Sequence, residues 1–486
     1  MKQKRRRWWK ALVPAAMMLL LSGCLFRSPD DLYRLPEVPA DYDRLKTAIR
    51  SVQSELEMEY GTSTDVAVIL SGDNTANIQL QDLDGNGLRE SAVTFLKVPG
   101  VEKSLKVYVF QPSGEDYQVA GVVEGDGASI YSVDYVDLNG TGQKELVVCW
   151  QISTGVYQVG AYTLDDLDQP TQEQHGASQR TERLASTLLL TGVSGASDGA
   201  SITGGYRLLD LDQDTRTEIA VVRIDSGGLN SLLEVYGWKE GAFSRLDSVE
   251  LSSGISTLNL VRANYLKGEL YPPALYVTST LADGSRIIDV VAYQGAKEER
   301  KLVNLSLDPE TKVSREVIQG YTDISPTDIN DDYVLELPTP TPVPTYGETA
   351  STNFWLIDWA QYDVDGDREK VLTTYHNVQD SWYLEIPDQW RDKITLSRID
   401  QISGQREVVF SYWRGGEQTP MPFLSIYRLT GSSRAVSATI NGRFVLREED
   451  TVIYAARFYD CPWNCGLDEA DLLDRFQTIQ SSWYYE

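Results

Sequence analysis

The chain has 486 residues, of which 42% are hydrophobic, so it is long enough for two or more domains with sizeable cores. It carries 44 Lys and Arg residues against 71 Asp and Glu residues, a net charge of −27, and such a surface repels the phosphates of nucleic acid. With only two histidines, His175 and His376, the composition argues against a His-based catalytic triad and against a metal site built from several histidines.

The N-terminal segment predicts export and lipid attachment. Residues 1–10 are basic, and the apolar run that follows is about half the roughly 20 residues that a membrane span needs. The run ends in a Leu-Ser-Gly-Cys motif at residues 21–24, which resembles the bacterial lipobox. That resemblance implies that residues 1–23 are a signal peptide and that the thiol of Cys24 carries a lipid. The mature protein would then be extracytoplasmic and anchored to the bacterial membrane. The alternative is an ordinary signal peptide with a chance cysteine.

A tether and a helix are predicted next. Residues 24–40 are polar and contain three prolines, as expected of an extended tether. Residues 41–61 predict a helix that begins with Asp41 as N-cap and stops at Gly61. Its apolar residues recur at helical spacing and fall on one face: Leu45, Ala48, Ile49, Val52 and Leu56.

From about residue 62 the apolar period changes to two, and short runs separated by turn residues predict an all-β region. A nine-residue acidic pattern recurs immediately before apolar strands in this region. Successive copies begin at residues 82, 137, 210, 265 and 328 and lie 55 to 73 residues apart, which suits a four-stranded sheet plus loops. The copy at 265 is degenerate, and a further copy begins at 363 after a much shorter interval.

The repeated pattern, Asp-x-Asp-x-Asn-Gly-x-x-Glu in its first copy, resembles the repeats of the FG-GAP/VCBS family, which are of integrin-alpha type. The resemblance implies a β-propeller of about five to seven blades over residues 62–377, with calcium in the blade loops. The expected fold class is therefore mainly β, with a propeller followed by a small α+β domain.

The spacing of the acidic side chains suits calcium, which prefers six to eight oxygen ligands at about 2.4 Å. Positions one, three, five and nine of each copy would supply side-chain ligands, and glycines at positions four and six would allow the positive φ that the turn needs. The candidate ligands are Asp82, Asp84, Asn86, Glu90, Asp137, Asn139, Thr141, Glu145, Asp210, Asp212, Asp214, Glu218, Asp328, Asn330, Asp332 and Glu336. The third and fourth copies lack the glycines, and in the copy at 363 Val371 replaces the closing carboxylate. The alternative is a set of polar turns closed by hydrogen bonds, without metal.

Residues 378–486 are predicted to form a separate α+β domain. Cys461 and Cys465 are candidates for a local disulfide in an extracytoplasmic setting, because zinc would need two further ligands. Seven tryptophans lie after residue 350, where they either fill a core or stack on sugar rings.

The sequence contains no nucleophile elbow, zinc-protease motif or phosphate loop, so no catalytic residue is assigned and an enzyme is not expected. We predict a non-catalytic lipoprotein whose calcium-supported propeller binds or scaffolds an envelope protein or glycan. One alternative is a glycan-binding or glycan-active protein that uses the Trp-rich C-terminal domain. Another is a purely structural assembly factor, because a fold does not fix a function.

Overall fold

The computed structural model describes residues 40–153, 156–163, 188–191, 205–224, 230–240, 242–296, 299–321, 324–346, 354–400, 402–416 and 418–479. The predicted signal peptide, Cys24 and all but the last residue of the predicted tether lie outside the described residues. The described part of the chain is mainly β and forms several antiparallel sheets. None of its helices combines the length and the apolar character that crossing a bilayer requires.

The first helix, α1 (Ala40–Tyr60), covers the outer face of the first sheet. It ends where the Gly61 backbone turns left-handed, at a φ of +67°, while the Gly61 N–H donates to the Glu57 carbonyl at 2.9 Å. Its buried apolar residues pack on the sheet, and they are Leu45, Ile49, Val52 and Leu56. Burial of four such side chains contributes on the order of 6–12 kcal/mol before entropy is counted.

Six antiparallel sheets follow in chain order. In sheet 1, β1 (Asp65–Val66) and β2 (Ile78–Gln81) both pair with β3 (Ser91–Lys97), followed by β4 (Leu105–Ser113) and β5 (Asp116–Gly125). Sheet 2 contains β6 (Ser129–Val136), β7 (Glu145–Ser153), β8 (Val156–Tyr162) and β9 (Leu188–Thr191). Sheet 3 contains β10 (Tyr206–Leu209), β11 (Glu218–Arg223), β12 (Leu232–Lys239) and β13 (Ala242–Glu250).

The second three sheets are built in the same way, with added strands. Sheet 4 contains β14 (Ile255–Tyr265), β15 (Pro273–Leu281), β16 (Arg286–Gln294), β17 (Lys301–Asn304) and β18 (Val317–Ile318). Sheet 5 contains β19 (Leu337–Pro342), β20 (Trp355–Tyr362), β21 (Arg368–Asn377), β22 (Trp382–Glu385) and β28 (Phe476–Thr478). Sheet 6 contains β23 (Ile394–Ile399), β24 (Gln405–Tyr412), β25 (Met421–Thr430), β26 (Phe444–Glu448) and β27 (Val452–Phe458). The other helices of the described residues are α2 (Arg434–Ser437) and α3 (Glu469–Arg475), with 3-10 turns at Val378–Asp380 and Asp388–Trp390.

The sheets stack face to face in chain order because their central strands are apolar on both faces. In β3, Val93 and Phe95 pack toward sheet 2, while Ala92 and Leu96 on the alternate face pack toward α1. Continuous cores then join sheets 2, 3 and 4, sheets 4 and 5, and sheets 5 and 6.

The two ends of the stack are covered differently. In a closed propeller the outer face of sheet 1 would pack against sheet 6. Helix α1 covers this face instead. The outer face of sheet 6 has a small core of its own that includes Tyr427, Ile453 and Ala438 beside α2. Among the described residues no hydrophobic core joins sheet 6 to sheet 1. The described residues therefore form a row of six stacked sheets, and closure into a propeller stays a prediction.

The predicted boundary at residue 378 falls inside sheet 5. Strand β21 before it pairs with β22 after it, and β28 returns from near the C-terminus to pair with β22. Helix α3 immediately precedes β28 in the chain. The helix begins with a capping box, in which the side chains of Asp468 and Asp471 each accept a hydrogen bond from the other residue's backbone N–H. Residues on both sides of position 378 thus share one sheet.

Candidate metal sites in the acidic loops

Four acidic loops occupy similar places, because each leads directly into an apolar strand near the start of a sheet. Loop 1 (82–90) joins β2 to β3, loop 2 (137–145) joins β6 to β7, and loop 3 (210–218) joins β10 to β11. Loop 4 (328–336) joins a one-residue strand at Thr327 to β19, since Thr327 and Glu336 form an isolated antiparallel bridge. The degenerate copy at 265 joins β14 to β15 in the same way.

The copy at 363 differs in place, because it forms the hairpin between β20 and β21. Asp363 Oδ1 accepts the backbone N–H groups of Asp365 and Asp367 at 3.0 and 2.9 Å. Its short distance from loop 4 in the sequence follows from this position, because both loops belong to sheet 5.

All four loops have the positive φ expected at positions four and six. The angles are +75° and +88° at Gly85 and Gly87, +73° and +87° at Gly140 and Gly142, +61° and +81° at Gln213 and Thr215, and +60° and +68° at Asp331 and Tyr333. Loops 3 and 4 adopt this backbone without glycine, at a cost of roughly 1 kcal/mol for each residue. Glycine is required at position 85 by packing as well, because a Cβ there would lie 2.2 Å from the Gly142 carbonyl oxygen.

Hydrogen bonds from the backbone hold each turn, as loop 3 illustrates. Asp210 accepts the N–H groups of Asp214 at 3.0 Å and Thr215 at 2.9 Å, one on each carboxylate oxygen. The closing Glu218 accepts the Leu211 N–H at 2.7 Å. Glu145 and Glu336 accept the equivalent N–H in loops 2 and 4. The first and last carboxylates of the pattern therefore shape the turn, whether or not a metal is bound.

Loop 3 brings four carboxylates into one cluster. Asp210, Asp212, Asp214 and Glu218 each offer an oxygen, and these oxygens lie within 4.8 Å of one another. Calcium–oxygen bonds of about 2.4 Å place opposite ligands about 4.8 Å apart, so all four oxygens fit one coordination sphere. Burial raises the pKa of Glu218 to about 8, and the nearby aspartates add to the effect. Burial also raises the pKa of Asp212, followed by the charge of Asp214. A divalent cation would offset this repulsion.

Loop 4 has a similar cluster, with internal amide donors. Asp328, Asp332 and Glu336 offer oxygens within 4.8 Å of one another. The amide of Gln361, on β20, donates to Asp332 Oδ2 at 2.7 Å and to Glu336 Oε1 at 2.5 Å. Asn330 donates to the same Asp332 oxygen at 3.0 Å. Burial raises the pKa of Glu336 to about 8. These amides partly compensate the carboxylates that a cation would otherwise neutralise.

Loop 1 contains a buried carboxylate oxygen without a partner. Asp82 Oδ2 accepts the Gly87 N–H at 3.0 Å, but Asp82 Oδ1 is buried and has no hydrogen bond. Burial raises the pKa of Asp84 beside it, and the charges of Asp82 and Glu90 add to this shift. The Asn86 amide donates to Asp84 at 2.7 Å and to Glu90 at 3.2 Å. The side chains of Asp82 and Asp84 also contact each other, so either a shared proton or a cation would satisfy this oxygen.

In loop 2 the carboxylates are satisfied by hydrogen bonds from within the loop. Asp137 accepts three backbone N–H groups, from Gly140, Thr141 and Gly142. Glu145 accepts the Asn139 amide at 2.6 Å in addition to its backbone donor. With only two carboxylates, both hydrogen-bonded, loop 2 fits the polar-turn alternative better than a metal site. Loops 3 and 4 and the unpaired oxygen of loop 1 are the stronger candidates.

The loops lie side by side at one end of the stack, and we call this surface the loop face. The Lys144 N–H of loop 2 donates to the Leu83 carbonyl of loop 1 at 2.8 Å. The Arg300 guanidinium, ahead of β17, donates to the Asp212 carbonyl of loop 3. Sequence spacing could not reveal Arg300 or Gln361 as neighbours of these loops, because both reach them from other strands.

The remaining predicted sites are the lipidation site, the possible disulfide and the C-terminal tryptophans. Cys24 lies outside the described residues. Cys461 and Cys465 have free thiols in the structure, so the disulfide stays a prediction. Trp359, Trp382 and Trp390 are fully buried in the cores of sheets 4 to 6. These three rings therefore contribute to the hydrophobic core and are not exposed for stacking on sugars.

Comparison with known proteins gives no family for this chain. No family model matches it, and no curated protein matches it. Solved structures with some likeness include the exotype rhamnogalacturonan lyase YesX, with 10% identity, a TM-score of 0.26, and coverage of 72% of this chain and 71% of that chain. The Bacillus licheniformis rhamnogalacturonan lyase PL11 has 13% identity, a TM-score of 0.28, and coverage of 74% and 77%. Sqt1 from Chaetomium thermophilum has 12% identity, a TM-score of 0.28, and coverage of 82% and 100%. These likenesses are too low to support an argument about activity or ligand.

Proposed function

We propose that this chain is an extracytoplasmic, lipid-anchored binding or scaffold module, non-catalytic, in which calcium in the acidic loops supports a propeller-type array of six sheets. The stacked antiparallel sheets support the array: sheets 1 to 5 hold the strands of residues 62–377, for which five to seven blades are expected, and sheet 6 adds strands from the predicted C-terminal domain. The lipobox-like motif ending at Cys24 supports the anchor.

The observation that carries the metal part of the proposal is the loop 3 cluster. Its four carboxylates lie close enough for one calcium ion, and no hydrogen bond from a side-chain amide to them is found in the described residues. Bound calcium would neutralise half of the four negative charges and fix a turn that two non-glycine residues strain. Its role is structural, and it orders the loop face for a partner.

The test compares two charge-neutral substitutions in calcium and in chelator. Asp212→Asn removes a proposed ligand charge but keeps the carbonyl-type oxygen that accepts the Asp214 N–H. Asp331→Asn is the matched control, because Asp331 occupies position four of loop 4 and is not a proposed ligand. We expect calcium to raise the Tm of the wild-type protein and the Asp331→Asn variant, and to raise it less in Asp212→Asn. An equal response in all three proteins would refute loop 3 as a calcium site.

The anchor has a separate test. Cys24→Ala removes the only thiol of the lipobox-like motif, so the variant should leave the membrane fraction of the expressing bacterium. Membrane association unchanged from wild type would refute lipid attachment at Cys24.

A further inference from the structure

A groove of about 610 Å³ opens on the loop face where sheets 3, 4 and 5 meet. We call it the tyrosine groove, and the lining residues that matter here are Tyr265, Tyr271, Tyr333, Asn264, Asp210 and Asp328. Asp210 and Asp328 are the first residues of loops 3 and 4, while Tyr265 and Tyr271 are the first and seventh residues of the degenerate copy between them. The groove therefore lies between the two loops that cluster the most carboxylates.

The fold does not account for the three rings of this groove. Tyr265, Tyr271 and Tyr333 expose 47%, 45% and 74% of their surface, so they add little to any core. Tyr271 and Tyr333 also have left-handed backbones, with φ of +44° and +68°, where glycine would be less strained. Strained, exposed aromatic residues around a cavity are typical of a functional surface.

The rings form a corner instead of a flat platform. The centroids of Tyr265 and Tyr271 are 6.1 Å apart, and their planes meet at 72°. Two near-perpendicular ring faces partly enclose a point charge, as in the aromatic cages that hold ammonium groups. This edge-to-face pair can hold a cation against the ring faces, and the test below distinguishes a cation from a neutral sugar that stacks on one ring.

The charge of the groove favours the same ligand. Two carboxylates line it, and none of its described lining residues is Lys or Arg. The nearby Lys267 forms an ion pair with Glu369. The Arg300 guanidinium also borders the groove, where it donates to the Asp212 carbonyl and to the side chain of the lining residue Gln213. If calcium occupies loop 3, the four carboxylates of the loop outweigh the two positive charges of the ion, so a net negative charge remains beside the groove. The chain as a whole carries −27, so long-range attraction also favours a basic partner.

We propose that the tyrosine groove binds a basic segment of a partner protein, with a Lys or Arg side chain seated in the corner of Tyr265 and Tyr271, beside the net negative charge of loops 3 and 4. This inference gives a partner class to the binding module proposed above, and it rests on that proposal. Tyr333 closes the groove on the side of loop 4.

The experiment measures hexalysine binding to the purified protein by calorimetry at millimolar calcium. The variant is Tyr271→Gly/Tyr333→Gly, which removes two rings, leaves the charge unchanged and suits the left-handed backbone. The control is Tyr346→Ser, which removes an equally exposed tyrosine elsewhere. We expect hexalysine to bind the double variant about tenfold more weakly, the control to bind as wild type does, and the Tm of the double variant to be no lower.

Equal hexalysine affinity in the wild type and the double variant would overturn the inference, because attraction to the overall negative charge would then account for binding. Groove-dependent binding of a neutral oligosaccharide such as chitohexaose, without ring-dependent hexalysine binding, would also overturn it and identify a glycan site. The calcium response of the Tm is read in the same samples. A ring-dependent loss of hexalysine binding without any calcium response would refute the metal support alone.

Discussion

Replacing Glu218 with Gln should stabilise the protein in the absence of calcium and reduce the stability that calcium adds. Glu218 is only 2% exposed and shares loop 3 with three aspartates. Glutamine keeps the oxygen that accepts the Leu211 N–H at 2.7 Å, so the variant removes the charge and preserves the turn. Without metal the buried negative charge of Glu218 destabilises the folded protein. With calcium bound, the Glu218 carboxylate would act as a ligand.

The magnitude follows from the pKa. Burial raises the pKa of Glu218 from 4.5 to about 8, so the metal-free protein loses stability as the pH rises from about 4.5 toward 8, where the unfolded chain ionises and the folded chain resists ionisation. At about 1.4 kcal/mol per pH unit the full effect is on the order of 5 kcal/mol, and at pH 7, about 2.5 units above the unfolded pKa, we expect about 3.5 kcal/mol. Calcium bound to the ionised carboxylate would reverse this pH dependence.

Thermal or denaturant unfolding at pH 5 and pH 7, in chelator and in calcium, measures the effect. In chelator Glu218→Gln should be more stable than wild type at pH 7 and close to it at pH 5. In calcium it should gain less stability than wild type. Glu310→Gln is the control, because Glu310 is exposed and lies outside the acidic loops. A variant that is destabilised in chelator, or that gains as much from calcium as wild type does, would refute the role assigned to Glu218.

Three further predictions concern the scaffold. Leu56→Ala should destabilise the protein by about 3 kcal/mol, because the Leu56 side chain is 1% exposed and packs between α1 and sheet 1. The control is Met58→Ala, which should change stability by less than about 0.5 kcal/mol because Met58 is 79% exposed. Equal Tm values for the two variants would contradict the packing of α1. Glu316→Gln should cost about 2–3 kcal/mol in denaturant unfolding, because the buried Glu316 accepts hydrogen bonds from Arg368 at 2.7 Å and from the Tyr362 hydroxyl at 2.8 Å; an unchanged midpoint would show that this ion pair does not support the fold. In protein isolated from the expressing bacterium without reductant, Cys461 and Cys465 should resist alkylation and become reactive after reduction; labelling of both before reduction would exclude the predicted disulfide.

The local features of this fold could be read from the sequence because they depend on nearby residues. The alternation of apolar residues predicted strands from about residue 62, and the helical spacing of Leu45, Ile49, Val52 and Leu56 predicted the helix, which the structure places at Ala40–Tyr60. The repeated Asp ladders also marked the turns that lead into β3, β7, β11 and β19. Glycine favours this turn without being essential to it, because Gln213, Thr215, Asp331 and Tyr333 adopt the same backbone in loops 3 and 4.

The non-local features could not be read in this way. Strand β28 reaches sheet 5 across about ninety residues, so the sequence pattern could not place it beside β22. The contacts of Gln361 and Arg300 with loops 4 and 3 depend on neighbouring strands. The tyrosine groove combines residues from three sheets, and its only local signal is Tyr333 at a loop position where the first two copies have glycine.

Equilibrium dialysis against calcium tests the central claim most directly. The wild-type protein should take up calcium saturably, the Asp331→Asn control should match it, and the Asp212→Asn variant should take up less, because Asp212 offers one of the four clustered oxygens of loop 3. Absence of saturable uptake at millimolar calcium would contradict the account and show that the acidic loops are polar turns held by their own hydrogen bonds.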